Sequence, residues 1–154
     1  MSRPRFFLLA LAALTVALGG CGGGDRLSKG EYEQKLKAAG VELSNASQTL
    51  SQATSGPEYV TGVEQVQDAL HKVADDLDGI NPPEDVAPAN GRLVAAFRGL
   101  ADEFDKVKAA ASSGSKAVQA AGGRLARSQA SEDARQAVLE IQRRGYDVGS
   151  LSST

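Results

Sequence analysis

The chain has 154 residues, 23% of them charged, and a formal net charge of −2 at pH 7. A mildly acidic chain lacks the basic face that nucleic-acid binding usually requires, so we expect no nucleic-acid partner. Tryptophan is absent and aromatic residues make up only 5% of the chain. This composition favours a helical core of Leu, Val and Ala over a β-sandwich or a barrel.

The first 20 residues have the organisation of an export signal. A basic head with Arg3 and Arg5 precedes an apolar run over residues 6–18, and Gly19 and Gly20 follow it. The apolar core of a signal peptide has ~7–15 residues. A membrane-spanning helix needs roughly 20 apolar residues. We therefore expect residues 1–20 to be a signal peptide that is removed from the mature chain.

The stretch Leu18-Gly19-Gly20-Cys21 resembles the lipobox of bacterial lipoproteins. The resemblance implies cleavage before Cys21, a diacylglyceryl thioether on its sulfur, and often a further acyl chain such as palmitate on the new amino terminus. Two or more acyl chains give stable membrane attachment. We expect the mature chain to be anchored to the outer face of the cell membrane or to a membrane facing the periplasm. The alternative is an ordinary secretory signal in which Cys21 is incidental.

Three further segments follow the signal peptide. Residues 21–27 are expected to be the lipidated cysteine and a flexible tether, because three glycines follow Cys21. Residues 28–148 are expected to form a helical domain, and residues 149–154 a loose tail.

Apolar residues recur at spacings of three and four along the domain, which predicts an all-α fold. The first helix should begin at Ser28, which has capping-box spacing to Glu31, and end near the Ser55-Gly56-Pro57 turn. Gly40 should weaken its middle by ~1 kcal/mol relative to alanine. The second helix should run from about Pro57 to the turn at residues 79–83.

The third predicted helix carries the clearest apolar stripe, and we expect its two large aromatic residues, Phe97 and Phe104, at the centre of the core. Residues 115–144 predict one bent helix or two short ones, with a new start at Ser131 and a C-cap at Gly145. Short connections between long helices predict an antiparallel up-and-down bundle of about four helices, the last possibly split in two. The turn at residues 81–85 and the end of the last helix would then share the membrane-proximal pole with the anchor. The turn at residues 55–57 and the loop at residues 112–115 would form the distal tip.

Two further segments carry a second resemblance. They are Asn81-Pro82-Pro83-Glu84-Asp85-Val86-Ala87, leading into Arg92-Leu93-Val94-Ala95-Ala96-Phe97, and Arg144-Gly145-Tyr146-Asp147-Val148-Gly149. Together they resemble small uncharacterised lipoproteins common in high-GC actinobacteria. That resemblance supplies no catalytic residues.

One stripe of polar residues lies beside the apolar face of the second predicted helix. Its members are spaced four, three, four and three apart: Glu64, Asp68, His71, Asp75 and Asp78. Oxygen ligands from such a stripe could hold a divalent cation. The alternative is a solvated acidic face that pairs with arginines across the bundle, at Arg124, Arg127 or Arg135. Since a di-iron site needs a second carboxylate-x-x-His element and His71 is the only histidine, we predict no metal site.

A catalytic set cannot be assembled from one histidine and one cysteine that is expected to be lipidated. We therefore predict that the protein is not an enzyme and uses no cofactor. The favoured hypothesis is a non-catalytic interaction module that binds an envelope protein or a surface polymer. The alternative is a carrier or sensor of a small apolar ligand, held in a pocket where alanines face Leu and Phe near Phe97 and Phe104.

Overall fold

A computed structural model of the chain describes residues 25–111, 113 and 115–153. These residues fold into five α-helices and one 3₁₀ helix, which confirms the predicted all-α class. The helices are α1 (Lys29–Gln52), α2 (Gly56–Asp78), α3 (Ala87–Ala111), α4 (Ser115–Leu125) and α5 (Gln129–Arg143), followed by the 3₁₀ helix Gly149–Ser153. The predicted signal peptide, Cys21 and the glycines after it lie outside the described residues.

The helix starts follow from serine caps. Ser28 and Glu31 form the predicted capping box at α1. A second capping box, Ser55 with Glu58, starts α2 one residue before the proline that was predicted to begin it. In both boxes, the serine side chain and the glutamate satisfy backbone N–H groups that lack a helical partner.

The last position of the bundle is occupied by two helices rather than one. Ser128, not Ser131, caps α5, and its side chain accepts a hydrogen bond from the Ser131 backbone. Helix α4 packs against the C-terminal half of α3, where its residue Ala121 lies in one cluster with Val107 of α3. Against the N-terminal half of α3, α5 is held by the Arg92–Glu140 ion pair. The predicted region 115–144 is therefore split, and α3 spans both pieces.

The helices pack in the order α1, α2, α3, α5, with α4 beside α5 on α3. This order leaves α1 and α5 at the two edges, and the 3₁₀ helix packs against both. The largest side chains that are fully buried come from all of these elements except α4 and the 3₁₀ helix; they include Tyr32, Leu36, Leu77, Leu93 and Ile141. Among the helices that the structure describes, none is long and apolar enough to cross a membrane.

Phe97 and Phe104 differ in burial, so the expectation that both lie at the core centre is half wrong. Phe97 is 5% exposed and belongs to the main core. Phe104 is only partly buried and lies where the main core meets a smaller cluster of Val63, Val107 and Ala121. The reason is that α4 and α5 meet beside this part of α3, so no single continuous helix covers it.

The entry of the chain, the α2–α3 turn and the segment after α5 meet at one pole, as the up-and-down topology predicted. The Leu27 N–H donates to the Asn81 carbonyl at 2.8 Å, and the Arg26 guanidinium donates to the Pro82 carbonyl at 3.0 Å. The Tyr146 hydroxyl donates to the Asp85 carboxylate at 2.8 Å. At the other end of the bundle, Gly56 lies beside the Ala111 carbonyl.

The expectation of a loose C-terminal tail is wrong over residues 149–153. Leu151 is 3% exposed and belongs, with Val148, to the main core. Gly145 and Gly149 both have positive φ, and these turns direct the segment back onto α1. Its seat on α1 is Gly40, where an added Cβ would lie 2.5 Å from the Ser150 hydroxyl and 3.1 Å from the Leu151 nitrogen.

Candidate ligand-binding cleft

A cleft of about 510 Å³ lies where the edge helices α1 and α5 face each other across α2 and α3. The 3₁₀ helix contributes to its wall at one end and the α4–α5 corner at the other. Its apolar lining comes from every one of these elements: Leu43, Val66, Leu70, Phe97, Leu100, Phe104, Leu125, Val138, Leu139 and Leu151. The cleft is therefore a property of the whole bundle and not of one loop.

The aromatic side of the cleft is supplied by α3. Phe97, Leu100 and Phe104 are spaced three and four apart, which places them on one face of the helix. Opposite them stand small residues, Gly122 and Ala134, which do not fill the space. Leu139 lines the same cleft and is 40% exposed. This arrangement can bind an apolar molecule of small size.

The polar groups of the cleft lie among its apolar walls and are few. The lining includes the hydroxyls of Ser47, Ser131 and Ser152 and the amide of Gln142. Ser131 donates its hydroxyl hydrogen to the Leu125 carbonyl at 2.7 Å, closing the α4–α5 corner. Over the described residues, the lining contains one charged side chain, Arg135, which pairs with Glu132 one turn earlier on α5.

Three carboxylates of the acidic stripe, Glu64, Asp75 and Asp78, lie away from the cleft, along the α2–α3 groove. Glu64 pairs with Lys108, and the Arg98 guanidinium donates to Asp75 at 2.9 Å and to Asp78 at 3.0 Å. These hydrogen bonds raise the pKa of Lys108 and of Arg98 above their ordinary values. The three carboxylates are thus partnered by cations of α3.

The predicted pairing of this stripe with Arg124, Arg127 or Arg135 is not what the structure shows. Arg135 instead pairs with Glu132 on its own helix. The reason is topological, since α3 rather than α4 or α5 packs beside α2. Asp68 and His71 are exposed on α2, and Asp68 lines a different groove, between α1 and α2.

No group of three or more His, Cys, Asp or Glu side chains that could hold a metal ion occurs within the described ranges. The stripe carboxylates that pair with α3 bind two different cations. Glu64 pairs with Lys108, whereas Asp75 and Asp78 both pair with Arg98. A cation would have to displace these partners. Glu64, Asp75 and Asp78 are thus engaged in ion pairs with α3.

The groove between α1 and α2 is larger, about 760 Å³, but it is shallow and wide open. Its rim carries charges of both signs, from Lys37, Glu42 and Lys72. Val41 lines it and is 56% exposed. Because it encloses less of a small molecule than the cleft would, we regard it as a surface rather than a small-molecule site.

A buried polar network at the pole was not predicted from the sequence. The Tyr32 hydroxyl donates to Asn90 Oδ1 at 3.0 Å, and Asn90 Nδ2 donates to the Leu77 carbonyl at 3.0 Å. Burial raises the pKa of the Tyr32 phenol, and the nearby Tyr146 and Asp85 raise it further. Asn90 lies within an apolar stripe, and only its contact partners in the fold identify its role. The network is structural and lies away from the cleft.

Comparison of the chain with protein-family models, curated proteins and solved structures gave no match.

Proposed function

We propose that the protein is a membrane-anchored lipoprotein whose helical domain carries or senses a small apolar ligand in the cleft between α1 and α5. The observation that supports this best is the cleft itself. Its volume of about 510 Å³ falls within the range of small-molecule sites, ~300–1,000 Å³. It has an apolar lining with a few polar groups, which is the usual composition of such sites.

The chemistry of the lining favours binding over catalysis. Among the lining residues in the described chain there is no histidine, cysteine or carboxylate. General acid–base catalysis and nucleophilic catalysis usually depend on such groups, often with a partner within hydrogen-bond reach. The hydroxyl of Ser131 is already engaged by a backbone carbonyl. We therefore propose a non-catalytic role.

The anchor is proposed from the stretch Leu18-Gly19-Gly20-Cys21. The position of the chain entry supports it, since residues 26 and 27 are fixed to the pole formed by the α2–α3 turn. A flexible chain of four residues, the number between Cys21 and Arg26, has a root-mean-square reach of ~11 Å. A lipid on Cys21 would hold this pole close to a bilayer, from which an apolar ligand could be drawn.

A neutral fluorescent probe tests the proposal. N-phenyl-1-naphthylamine should bind the domain with saturable enhancement of fluorescence. Ser47→Trp should weaken binding by about tenfold or more, because an indole at this lining position occupies the cleft. Ser44→Trp is the matched control: Ser44 is exposed on the same helix and does not line the cleft. Absence of saturable binding to the parent protein, or equal loss in both variants, would overturn the proposal.

A second candidate is the interaction module that binds an envelope protein or a surface polymer. The observation that favours it is Val41, which is 56% exposed in the groove between α1 and α2. The acidic stripe supports it less, because three of its carboxylates are paired with α3. A photo-crosslinking amino acid at position 41 should capture one recurring species in cells, while the same label at exposed Asp102 of α3 should not. Identical products from both positions would exclude this groove.

A further inference from the structure

We infer that the ligand of the cleft is a single-chain amphiphile with an anionic head, and that Arg135 binds the head. This inference rests on the proposed function of the cleft. It adds the chemical class of the ligand, which the volume and the apolar lining do not give by themselves.

The first argument is the position of the charge. Arg135 is the one charged side chain among the described lining residues, and its side chain is 58% exposed. Its neighbours Ala134 and Val138 on α5 are buried and face the core side of the cleft. The guanidinium therefore lies at the edge, where it stays hydrated while the apolar walls extend inward. A ligand that matches this charged edge and these apolar walls has its polar head at Arg135 and its apolar chain against Phe97 and Phe104.

The second argument is the hydrogen-bonding capacity of the guanidinium. Arginine presents five N–H donors in a planar fork that matches a carboxylate or a phosphate. Arg135 pairs with the Glu132 carboxylate, an exposed pair within one helix. Pairs of this kind contribute only ~0–1 kcal/mol, so an anionic head can share or replace this partner. Glu132 also accepts a hydrogen bond from Gln136 at 3.0 Å, which keeps its carboxylate partnered when the head binds.

The third argument concerns the size of the apolar part. At about 30 Å³ for each water-sized group, a volume of 510 Å³ holds roughly 17 such groups. That corresponds to one acyl chain and is too small to enclose two long chains. A free fatty acid and a lysophospholipid or alkyl phosphate share this chemistry, a single chain with one anionic head.

Displacement of N-phenyl-1-naphthylamine by three probes of equal chain length tests the inference. Dodecanoate and dodecyl phosphate carry anionic heads of the two kinds, and dodecanol carries a neutral one. The parent protein should bind at least one anionic probe about tenfold more tightly than dodecanol, as expected for a charge-assisted hydrogen bond. Whichever anion binds more tightly identifies the head as a carboxylate or a phosphate. The preference should shrink as salt is added, because exposed charges are screened.

Variants of α5 assign the preference to Arg135. Arg135→Gln should bring the anionic probes to parity with dodecanol and leave dodecanol binding unchanged. Arg143→Gln removes the same charge from an exposed position of α5 outside the cleft and should keep the preference. Glu132→Gln should strengthen anion binding, because it removes the competing carboxylate.

The outcomes separate this inference from the proposed function. If dodecanol binds as well as both anions, or if Arg135→Gln keeps the preference, the head-group assignment is wrong and the apolar cleft stands. If none of the three probes displaces the dye, and the dye itself does not bind, both are wrong.

Discussion

The rings of Tyr32 and Tyr146 meet edge to face, with centroids 5.6 Å apart and an angle of 83° between their planes. The first ring belongs to the start of α1 and the second to the segment after α5. Both hydroxyls bind the region of the α2–α3 turn, Tyr32 through Asn90 and Tyr146 through Asp85. One aromatic pair thus joins the beginning, the middle and the end of the domain at the pole where the chain enters.

The two hydroxyls should differ in their contribution to stability. Tyr32→Phe leaves the buried Oδ1 of Asn90 without its donor, and we expect a loss of about 2 kcal/mol in the free energy of unfolding. Asp85 is exposed, so water can replace the bond that Tyr146→Phe removes, and the loss should stay below about 1 kcal/mol. Urea unfolding followed by circular dichroism measures both. Equal costs, or a larger cost for Tyr146→Phe, would contradict a structural role for the Asn90 network.

Stability should fall in acid because of the two capping boxes. The Ser28 hydroxyl and backbone N–H lower the pKa of Glu31, and N–H and hydroxyl groups of Thr54, with the Ser55 N–H, lower that of Glu58. With the folded pKa values depressed, the unfolded chain binds more protons, so this stability is present above the ordinary value of 4.5 and is lost as pH falls.

The double variant Glu31→Gln, Glu58→Gln should therefore show a smaller loss of stability between about pH 5 and pH 3. Glutamine keeps an amide oxygen that can accept the capping hydrogen bonds. Some pH dependence should remain, because Lys37 also lowers the pKa of Asp147. Glu84→Gln, at an exposed turn position, is the control for the change in charge. If the double variant lost as much stability as the parent protein between about pH 5 and pH 3, the capping boxes would not be the cause of that loss.

The helices could be predicted from the sequence because their signals are local. Serine caps, apolar spacing and the Gly and Pro turns lie within a few residues of the ends that they determine. The break before α5 was placed at Ser131 instead of Ser128, since both residues are serines with suitable neighbours. In the structure, Ser128 accepts the Ser131 backbone N–H, while the Ser131 hydroxyl donates to the Leu125 carbonyl.

The cleft could be predicted only in part. The stripe with Phe97 and Phe104 indicated where a pocket would lie, but its wall from the C-terminal segment was missed. Val148 and Leu151 are just two apolar residues, too few for a periodic pattern. Leu151 packs against Gly40, a residue that only weakens the middle of α1 when the helix is considered alone. The sequence leaves Arg135 open as one of three arginine partners for the acidic stripe, because it does not show that α3 lies between α2 and α5.

The lipid anchor predicts a change in membrane attachment. Expressed with its first 20 residues in a bacterial host, the protein should fractionate with membranes and gain the mass of its acyl chains. Cys21→Ala should abolish both, while Ser28→Ala, which affects only the α1 cap, should preserve them. Intact-protein mass spectrometry of the membrane fraction measures the outcome. A parent protein that is exported without added lipid mass would support the ordinary secretory signal instead.

We expect Gly40 to be required for the packing of the C-terminal segment against α1. The substitution Gly40→Ala tests this, because it has two opposite effects on stability. Alanine favours a helix by ~1 kcal/mol over glycine. At this position, however, its Cβ would lie 2.5 Å from the Ser150 hydroxyl and 3.1 Å from the Leu151 backbone nitrogen, so the Ser150 side chain must move and the Leu151 backbone must give by a few tenths of an ångström. We expect net destabilisation and faster amide hydrogen exchange over residues 148–153.

Gly91→Ala is the matched control, since an added Cβ there meets nothing within 4 Å. It should stabilise α3 by an amount approaching ~1 kcal/mol. Because Leu151 and Ser152 line the cleft, Gly40→Ala should also change the affinity for the neutral probe, whereas Gly91→Ala should not. If Gly40→Ala stabilised the protein as Gly91→Ala does, the segment would not depend on close contact with α1. A loss of probe affinity together with faster exchange would instead show that one small residue of α1 holds both the end of the chain and a wall of the cleft.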